Sequence, residues 1–271
     1  MLAAVAQICS TPRIKDNLHQ ILKLISTATA KGAKAIFFPE ASDFIAENKQ
    51  QALELVQPLN GEFVSEIKRA AIENKIIVSI GIHEQSSEQT RLFNTHLLIN
   101  ETGAIHLYRK IHLFDLNLPG NVLMESKSTI PGDGYVAPIS TTVGRVGLAL
   151  CYDLRFPEYS RLLQLQGMDI LTYPSAFTVP TGKAHWHVLL RARAIETQSY
   201  VIAAAQYGQN TATRSTYGHA LIVDPWGEII AECDDLGLQY ADIDLDKIKK
   251  IKEQMPVLDH RRTDVYSLKL C

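Results

Sequence analysis

The order strand, helix, strand, helix, strand, strand, strand runs through this 271-residue chain twice, once on each side of about Gly120. Helices that alternate with strands must cover a sheet face, because each carries an apolar stripe to bury. Two such runs predict two similar sheet-and-helix layers packed together with their helices outside. In the first run, residues 5–9, 35–38, 76–83, 92–99 and 105–108 read as strands. Residues 16–31 and 61–75 read as helices. Leu18, Ile21, Leu22, Leu24, Ile25 and Ala28 recur at helical spacing in the first of these, and Gly32 closes it. In the second run, strands are read at 145–150, 169–173, 200–205, 219–224, 228–233 and 239–243, and helices at 158–166, 184–199 and 244–253. Residues 115–134 form a long irregular stretch rich in Pro and Gly, and such segments in compact folds are usually functional. No linker or low-complexity segment divides residues 1–271, so one α/β domain is expected.

Bulk properties exclude several classes of function. With 46% hydrophobic and 21% charged residues the chain has an ordinary globular composition. A net charge of −2 provides no attraction toward nucleic acid or a membrane surface. No apolar run approaches the length that spans a bilayer. The start M-L-A-A-V-A-Q-I-C-S has no basic residue and is interrupted by Gln7, so it reads as a buried strand rather than a signal peptide. Cys9, Cys151, Cys233 and Cys271 form no C-x-x-C pair. That argues against a zinc site and a disulfide framework, and for a reducing, cytoplasmic setting.

The stretch from Gly144 to Glu158, G-R-V-G-L-A-L-C-Y-D-L-R-F-P-E, puts Cys151 between a buried strand and a helix opened by Pro157. Ligands of open α/β sheets bind at that edge, and the peptide dipoles there favour thiolate over thiol. Two readings stand: a nucleophile, or a small buried hydrophobe. Glu40 ends I-F-F-P-E and Lys110 ends I-H-L-Y-R-K, each again just past a strand. Singly, either is a solvated charge. If the three strands are neighbours in one sheet, the three side chains converge on one edge.

These motifs resemble the nitrilase superfamily of carbon–nitrogen hydrolases, and specifically its Nit branch. The resemblance covers essentially the whole chain. F-F-P-E-A-S, Y-R-K-I-H-L-F-D and C-Y-D-L-R-F-P-E carry it first. Y-P-S-A-F-T, L-L-R-A-R-A-I-E-T-Q and Y-G-H-A-L-I-V-D-P-W-G follow in the right order. It implies a four-layer α-β-β-α sandwich and a catalytic triad of Glu40, Lys110 and Cys151. Cys151 would attack an amide carbonyl and form a thioester, with Glu40 as general base. That role needs a pKa raised toward neutrality, which burial beside Phe37 and Phe38 would supply. Lys110 and the backbone N–H of Tyr152 would stabilise the oxyanion. Glu125 matches the position of an accessory glutamate that orients the lysine or the substrate; the other reading is an exposed loop acid.

The resemblance further implies a small ω-amide as substrate. Deaminated glutathione, cleaved to 2-oxoglutarate and Cys-Gly, stands ahead of α-ketoglutaramate; a non-catalytic scaffold of this fold is the remaining alternative. An acidic substrate requires cations, and Arg155 and Arg214 are the candidates, with Phe177 and Thr178 as further substrate-binding residues. Arg155 alternatively pairs with Asp153 or Glu158. No metal or organic cofactor is required. The family often has an acid where this chain has His187 in H-W-H, which leaves that acid's hydrogen bond in doubt. His185 and His187 face different sides of a helix and do not suit one metal, while His112 and His219 read as structural polar groups. A homodimer is implied, formed by the helix after Pro157 and the segment from Met255.

Overall fold

Strand β1 (Leu2–Ile8) sends alternate side chains to two different cores, as the two-residue period of an extended chain requires. Ala3 and Val5 join one core, and Ala4, Ala6 and Ile8 the other. Strand β2 (Ala35–Phe37) repeats the pattern, Ala35 and Phe37 on one side and Ile36 and Phe38 on the other. A strand apolar on both faces belongs in the middle of a layered structure. The computed structural model, which describes residues 1–118 and 121–269, has that organisation. Gly120, the midpoint of the repeated pattern, and Cys271 lie outside the described residues.

Between β1 and β2 lies α1 (Ile14–Ala30); α2 (Lys49–Leu55) and α3 (Glu62–Asn74) follow. Strands β3 (Ile77–Glu84), β4 (Leu92–Ile99) and β5 (Ile105–Arg109) complete the first half. Next come β6 (Asp115–Leu118), β7 (Asn121–Met124), β8 (Thr129–Ile130), β9 (Ile139–Thr141) and β10 (Gly144–Leu148). Then follow α4 (Pro157–Leu165), β11 (Ile170–Thr172), α5 (Val179–Thr197), β12 (Tyr200–Ala203) and β13 (Ala205–Gln209). The chain ends with β14 (Ser215–Tyr217), β15 (Leu221–Val223), β16 (Ile229–Glu232), β17 (Gly237–Asp242) and α6 (Leu245–Gln254).

Two sheets result. The first has the order β14-β13-β1-β2-β3-β4-β5, with β17 also on β1 and β8 on β4; the second runs β16-β15-β12-β11-β10-β9. Each centres on three parallel strands, β1-β2-β3 and β12-β11-β10. Helices α1 and α3 cover the outer face of the first sheet through Leu18, Ile21, Ile25, Phe63 and Ile67. Leu163 of α4 and Trp186, Leu190 and Ala194 of α5 belong to the second core, together with both inner sheet faces. This is the α-β-β-α sandwich. His96 of β4 ties the layers, its Nδ1 2.9 Å from the carbonyl oxygen of Ala149 and its Nε2 2.7 Å from Ser79 Oγ. Burial pushes its pKa down to about 3, so the ring is neutral.

Several sequence expectations need correction. Strand β10 lies in the second sheet, so it is not a neighbour of β2 and β5. The stretch 200–205 is not one strand: β12 belongs to the second sheet and β13 to the first, with Ala204 at the crossing. Residues 115–134 are not wholly irregular, because β6 and β7 pair antiparallel there. Helix α5 starts at Val179, five residues before the apolar pattern suggests. Pro180 and Gly182 look like breakers, yet Pro fits a first turn. Gly182 is needed because a Cβ there would come within 2.2 Å of the Tyr217 ring.

Candidate active site

Glu40 leaves the C-terminal end of β2 and lies across β3 at Gly81, where an added Cβ would meet Glu40 Cα at 2.6 Å. Only glycine permits that approach. Ala41 turns the chain in the left-handed region, at φ 54°. Gln206 of β13 fixes the turn by donating from Nε2 to the carbonyls of Glu40 (3.0 Å) and Ala41 (3.2 Å). Lys110 follows β5, and its backbone N–H still pairs with the Asn94 carbonyl of β4 at 2.9 Å. From the other sheet, β10 leads through Ala149 and Leu150 to Cys151. Its φ of 44° is a left-handed conformation that costs a non-glycine residue on the order of 1–3 kcal/mol. The Cys151 N–H is held by the Pro174 carbonyl at 3.0 Å.

The three side chains converge as expected, but across two sheets rather than along one. Glu40, Lys110 and Cys151 line one cavity of about 280 Å³. Lys110 Nζ donates to Glu125 Oε2 (2.8 Å) and Oε1 (3.0 Å) and to Glu40 Oε1 (3.2 Å). Asn94 Nδ2 bridges the same two acids, 2.7 Å from Glu40 Oε1 and 3.1 Å from Glu125 Oε1. Ala176 N–H donates to Glu40 Oε2 at 2.9 Å. Glu125 is therefore no exposed loop acid: Phe114 N–H also donates to it at 2.7 Å, and it braces Lys110.

The protonation states differ from the sequence expectation. Burial would lift the Glu40 pKa, but the Lys110 ammonium, aided by Cys151, Asn94 and Arg214, holds it below the ordinary carboxylate range. Burial and the Glu40 charge push the Cys151 thiol well above its usual value, against the opposing pull of Lys110. Burial would lower the Lys110 pKa, but the charges of Glu125 and Glu40 raise it. The resting site thus holds an ionised Glu40, a charged Lys110 and a neutral Cys151 thiol. The thiolate expected from the sequence is thus corrected: burial and the neighbouring Glu40 carboxylate keep the thiol protonated.

Arg155, Arg214, Phe177, Thr178 and Tyr152 all line the cavity. Arg155 pairs with neither Asp153 nor Glu158; its guanidinium lies 3.1 Å from His185 Nδ1. Asp153 is instead buried, accepting from Tyr108 Oη (2.7 Å) and Leu150 N (2.8 Å), with His112 Nδ1 at 2.7 Å. His112 thereby supports the Cys151 turn. Among the described residues neither Arg155 nor Arg214 has a carboxylate partner, and the Tyr152 N–H has no acceptor. His83, Asn94 and Thr181 line the cavity unannounced. An asparagine within the apolar run L-F-N-T-H-L-L-I is the signal that could have flagged Asn94. His83 is held by Asp43 at 3.0 Å and is stacked on Phe44.

Fold and site together define a carbon–nitrogen hydrolase. The carbon-nitrogen hydrolase family model matches residues 2–253, and this chain belongs to that family. It is 47% identical to the human deaminated glutathione amidase over 272 residues, 98% of this chain and 83% of that protein. A Synechocystis protein of the same name is 40% identical over 267 residues, covering 96% of this chain and 97% of its own length. The crystal structure of the Caenorhabditis elegans NitFhit protein superposes with a TM-score of 0.95 at 40% identity, over 98% of this chain. This chain spans 66% of that longer protein.

Proposed function

We propose that this chain is an amidohydrolase that cleaves deaminated glutathione to 2-oxoglutarate and Cys-Gly through a thioester on Cys151. The observation that carries the reading is the meeting of Glu40, Lys110 and Cys151 in one cavity lined also by two arginines that have no carboxylate partner among the described residues. As the sulfur–carbon bond forms, the thiol proton passes to Glu40 and the carbonyl oxygen becomes an oxyanion. Lys110 turns one N–H from Glu125 to that oxygen, and the Tyr152 N–H supplies a second donor. Collapse breaks the C–N bond, and protonated Glu40 gives its proton to the departing amine. Glu40 then deprotonates a water that attacks the thioester; the C–S bond breaks and the thiol is restored. Because Glu40 is a weak base here and Cys151 a weak acid, proton transfer and attack proceed together rather than through a standing thiolate.

Two features favour this substrate. Relatives at 46–48% identity carry the name deaminated glutathione amidase. The cavity wall also offers one cation for each carboxylate of a dianion, Arg155 and Arg214, while Lys110 is engaged by Glu40 and Glu125. Deaminated glutathione has a carboxylate at each end, whereas α-ketoglutaramate has one. Arg155→Gln and Arg214→Gln are each expected to raise KM for deaminated glutathione about 10-fold, the loss of one charge-assisted hydrogen bond, with kcat little changed. One of the two should leave KM for α-ketoglutaramate unaltered. Mass-spectrometric detection of Cys-Gly, beside ammonia from α-ketoglutaramate, tests this. Preference for the ketoglutaramate would overturn the substrate, and release from neither, with a partner co-purifying, would favour a scaffold.

The chain is further read as one domain, since β13 and β17 from its far end flank β1; two separate unfolding transitions would contradict this. We read it also as a homodimer. Leu165 of α4, Val188 and Ile195 of α5, and Met255, Val265 and Tyr266 of the C-terminal segment are exposed apolar side chains. Light scattering at micromolar concentration should give twice the chain mass, and a monomer would refute it. Among the described residues no helix is long and apolar enough to cross a membrane. A cytoplasmic setting fits an enzyme that works through a thiol and leaves Cys9 and Cys233 unpaired. Recovery of the protein from an oxidising compartment would count against it.

A further inference from the structure

The residue that departs from the family's usual acid has found a specific setting. His187 on α5 directs Nε2 to Glu232 Oε1 on β16 at 2.8 Å, and His219, just before β15, brings Nδ1 to the same oxygen at 2.7 Å. The three donor atoms lie within 4.8 Å of one another. In the sequence these residues are far apart, so spacing alone offers His187 no metal-binding partner. The fold supplies the cluster instead, from three separate elements. His219 is held firmly: its backbone is left-handed at φ 60°, and the Trp186 indole N–H donates to its carbonyl at 2.7 Å. The Tyr217 ring packs against its imidazole at 4.5 Å between centroids. All three side chains are about one third exposed, which leaves room for water to complete a coordination sphere.

Two imidazole nitrogens and one carboxylate oxygen form the donor set that takes Zn²⁺ with a fourth, open position. Nitrogen ligands exclude Ca²⁺ and Mg²⁺ as preferred ions, since those take oxygen. We propose that His187, His219 and Glu232 form a divalent transition-metal site of the Zn²⁺ type, separate from the Cys151 cavity. On coordination each imidazole carries its proton on the other ring nitrogen, His187 on Nδ1 and His219 on Nε2, so both bind as neutral ligands and the carboxylate oxygen exchanges two N–H contacts for the metal. A bound ion would fasten α5 to the edge strand β16. It would sit one layer behind the cavity wall, because Trp186 packs on Phe177 and the Tyr217 N–H donates to the Phe177 carbonyl at 3.0 Å. The proposal does not depend on the reading of the active site.

Titration of the chelator-stripped full-length chain with Co²⁺ tests it. The expected result is saturation at one equivalent, with visible d–d bands of nitrogen and oxygen ligation, no sulfur-to-cobalt charge transfer, and displacement by Zn²⁺. His187→Gln and Glu232→Gln should each weaken binding by at least about 10-fold. Zn²⁺ should raise the melting temperature of the wild type and not of either variant. Should one variant fold poorly, the other and His219→Gln serve, with circular dichroism as the check. Absence of saturable binding, bands marking a thiolate ligand, or the same affinity in all variants would overturn the assignment.

Discussion

Cys151→Ala is expected to abolish release of Cys-Gly, a fall of about 10⁶-fold in kcat, the scale on which an enzyme loses a nucleophile. The cavity contains hydroxyls, at Ser128, Thr129, Thr178 and Thr181. None of these hydroxyls is bonded to Glu40, the group that must take the proton, whereas the Cys151 thiol is. Alanine tolerates the left-handed φ of 44° no worse than cysteine does, so the turn should survive and the variant should fold. Circular dichroism checks that point, and activity near the wild-type level would end the thiol mechanism. The wild-type pH profile gives a companion test. Lys110 holds the Glu40 pKa low, so Glu40 stays ionised below the ordinary carboxylate value of about 4.3. The acid limb of kcat/KM should therefore fall below that pH, not near neutrality as a burial-raised glutamate would require.

The contrast between what local sequence announces and what only the fold supplies is clear in this site. Glu40 and Cys151 are legible because each ends an apolar run with a reactive group, and Lys110 because it follows the strand I-H-L-Y-R within a motif that resembles the family's. Alternation of buried side chains makes the strands legible for the same reason. Which sheet a strand joins is a long-range matter. Val146 pairs with Ile170 and Gln7 with Ala205, and no local pattern distinguishes the two sheets. Hence the condition of three neighbouring strands in one sheet is not met, yet the three side chains converge from two sheets. Asn94 and Gln206 escaped because their roles depend on partners 54 and 166 residues away. Burial was legible at Glu40, yet its pKa direction was not, since that is decided by a lysine from another strand. His187 shows the same limit: its partner Glu232 lies 45 residues on.

Lys110→Met should be the most destructive single change to the resting structure. Lys110 is the cation between a buried carboxylate, Glu40 at 3.2 Å, and a partly buried one, Glu125 at 2.8 Å. Removing one member of such a group and leaving the others charged costs roughly 3–5 kcal/mol. Loss of the oxyanion donor adds roughly 3–4 kcal/mol to the barrier. Together with a base that now tends to hold a proton, this should lower kcat by about 10⁴-fold or more. The stability loss carries a pH signature. In the wild type, the raised Lys110 pKa makes its contribution fully present below about 10.4 and lost only as pH rises through the higher folded value. In the variant, two like charges share Asn94 Nδ2, so one carboxyl should have a folded pKa above its unfolded value. Its protonated form then stabilises the fold at low pH, and that stability disappears as pH rises through the raised pKa. Urea unfolding at pH 5 and pH 7.5 should therefore find the variant closer to wild type at the lower pH. A deficit below about 1 kcal/mol at pH 7.5, or the same deficit at both pH values, would mean that Lys110 does not hold the two acids together.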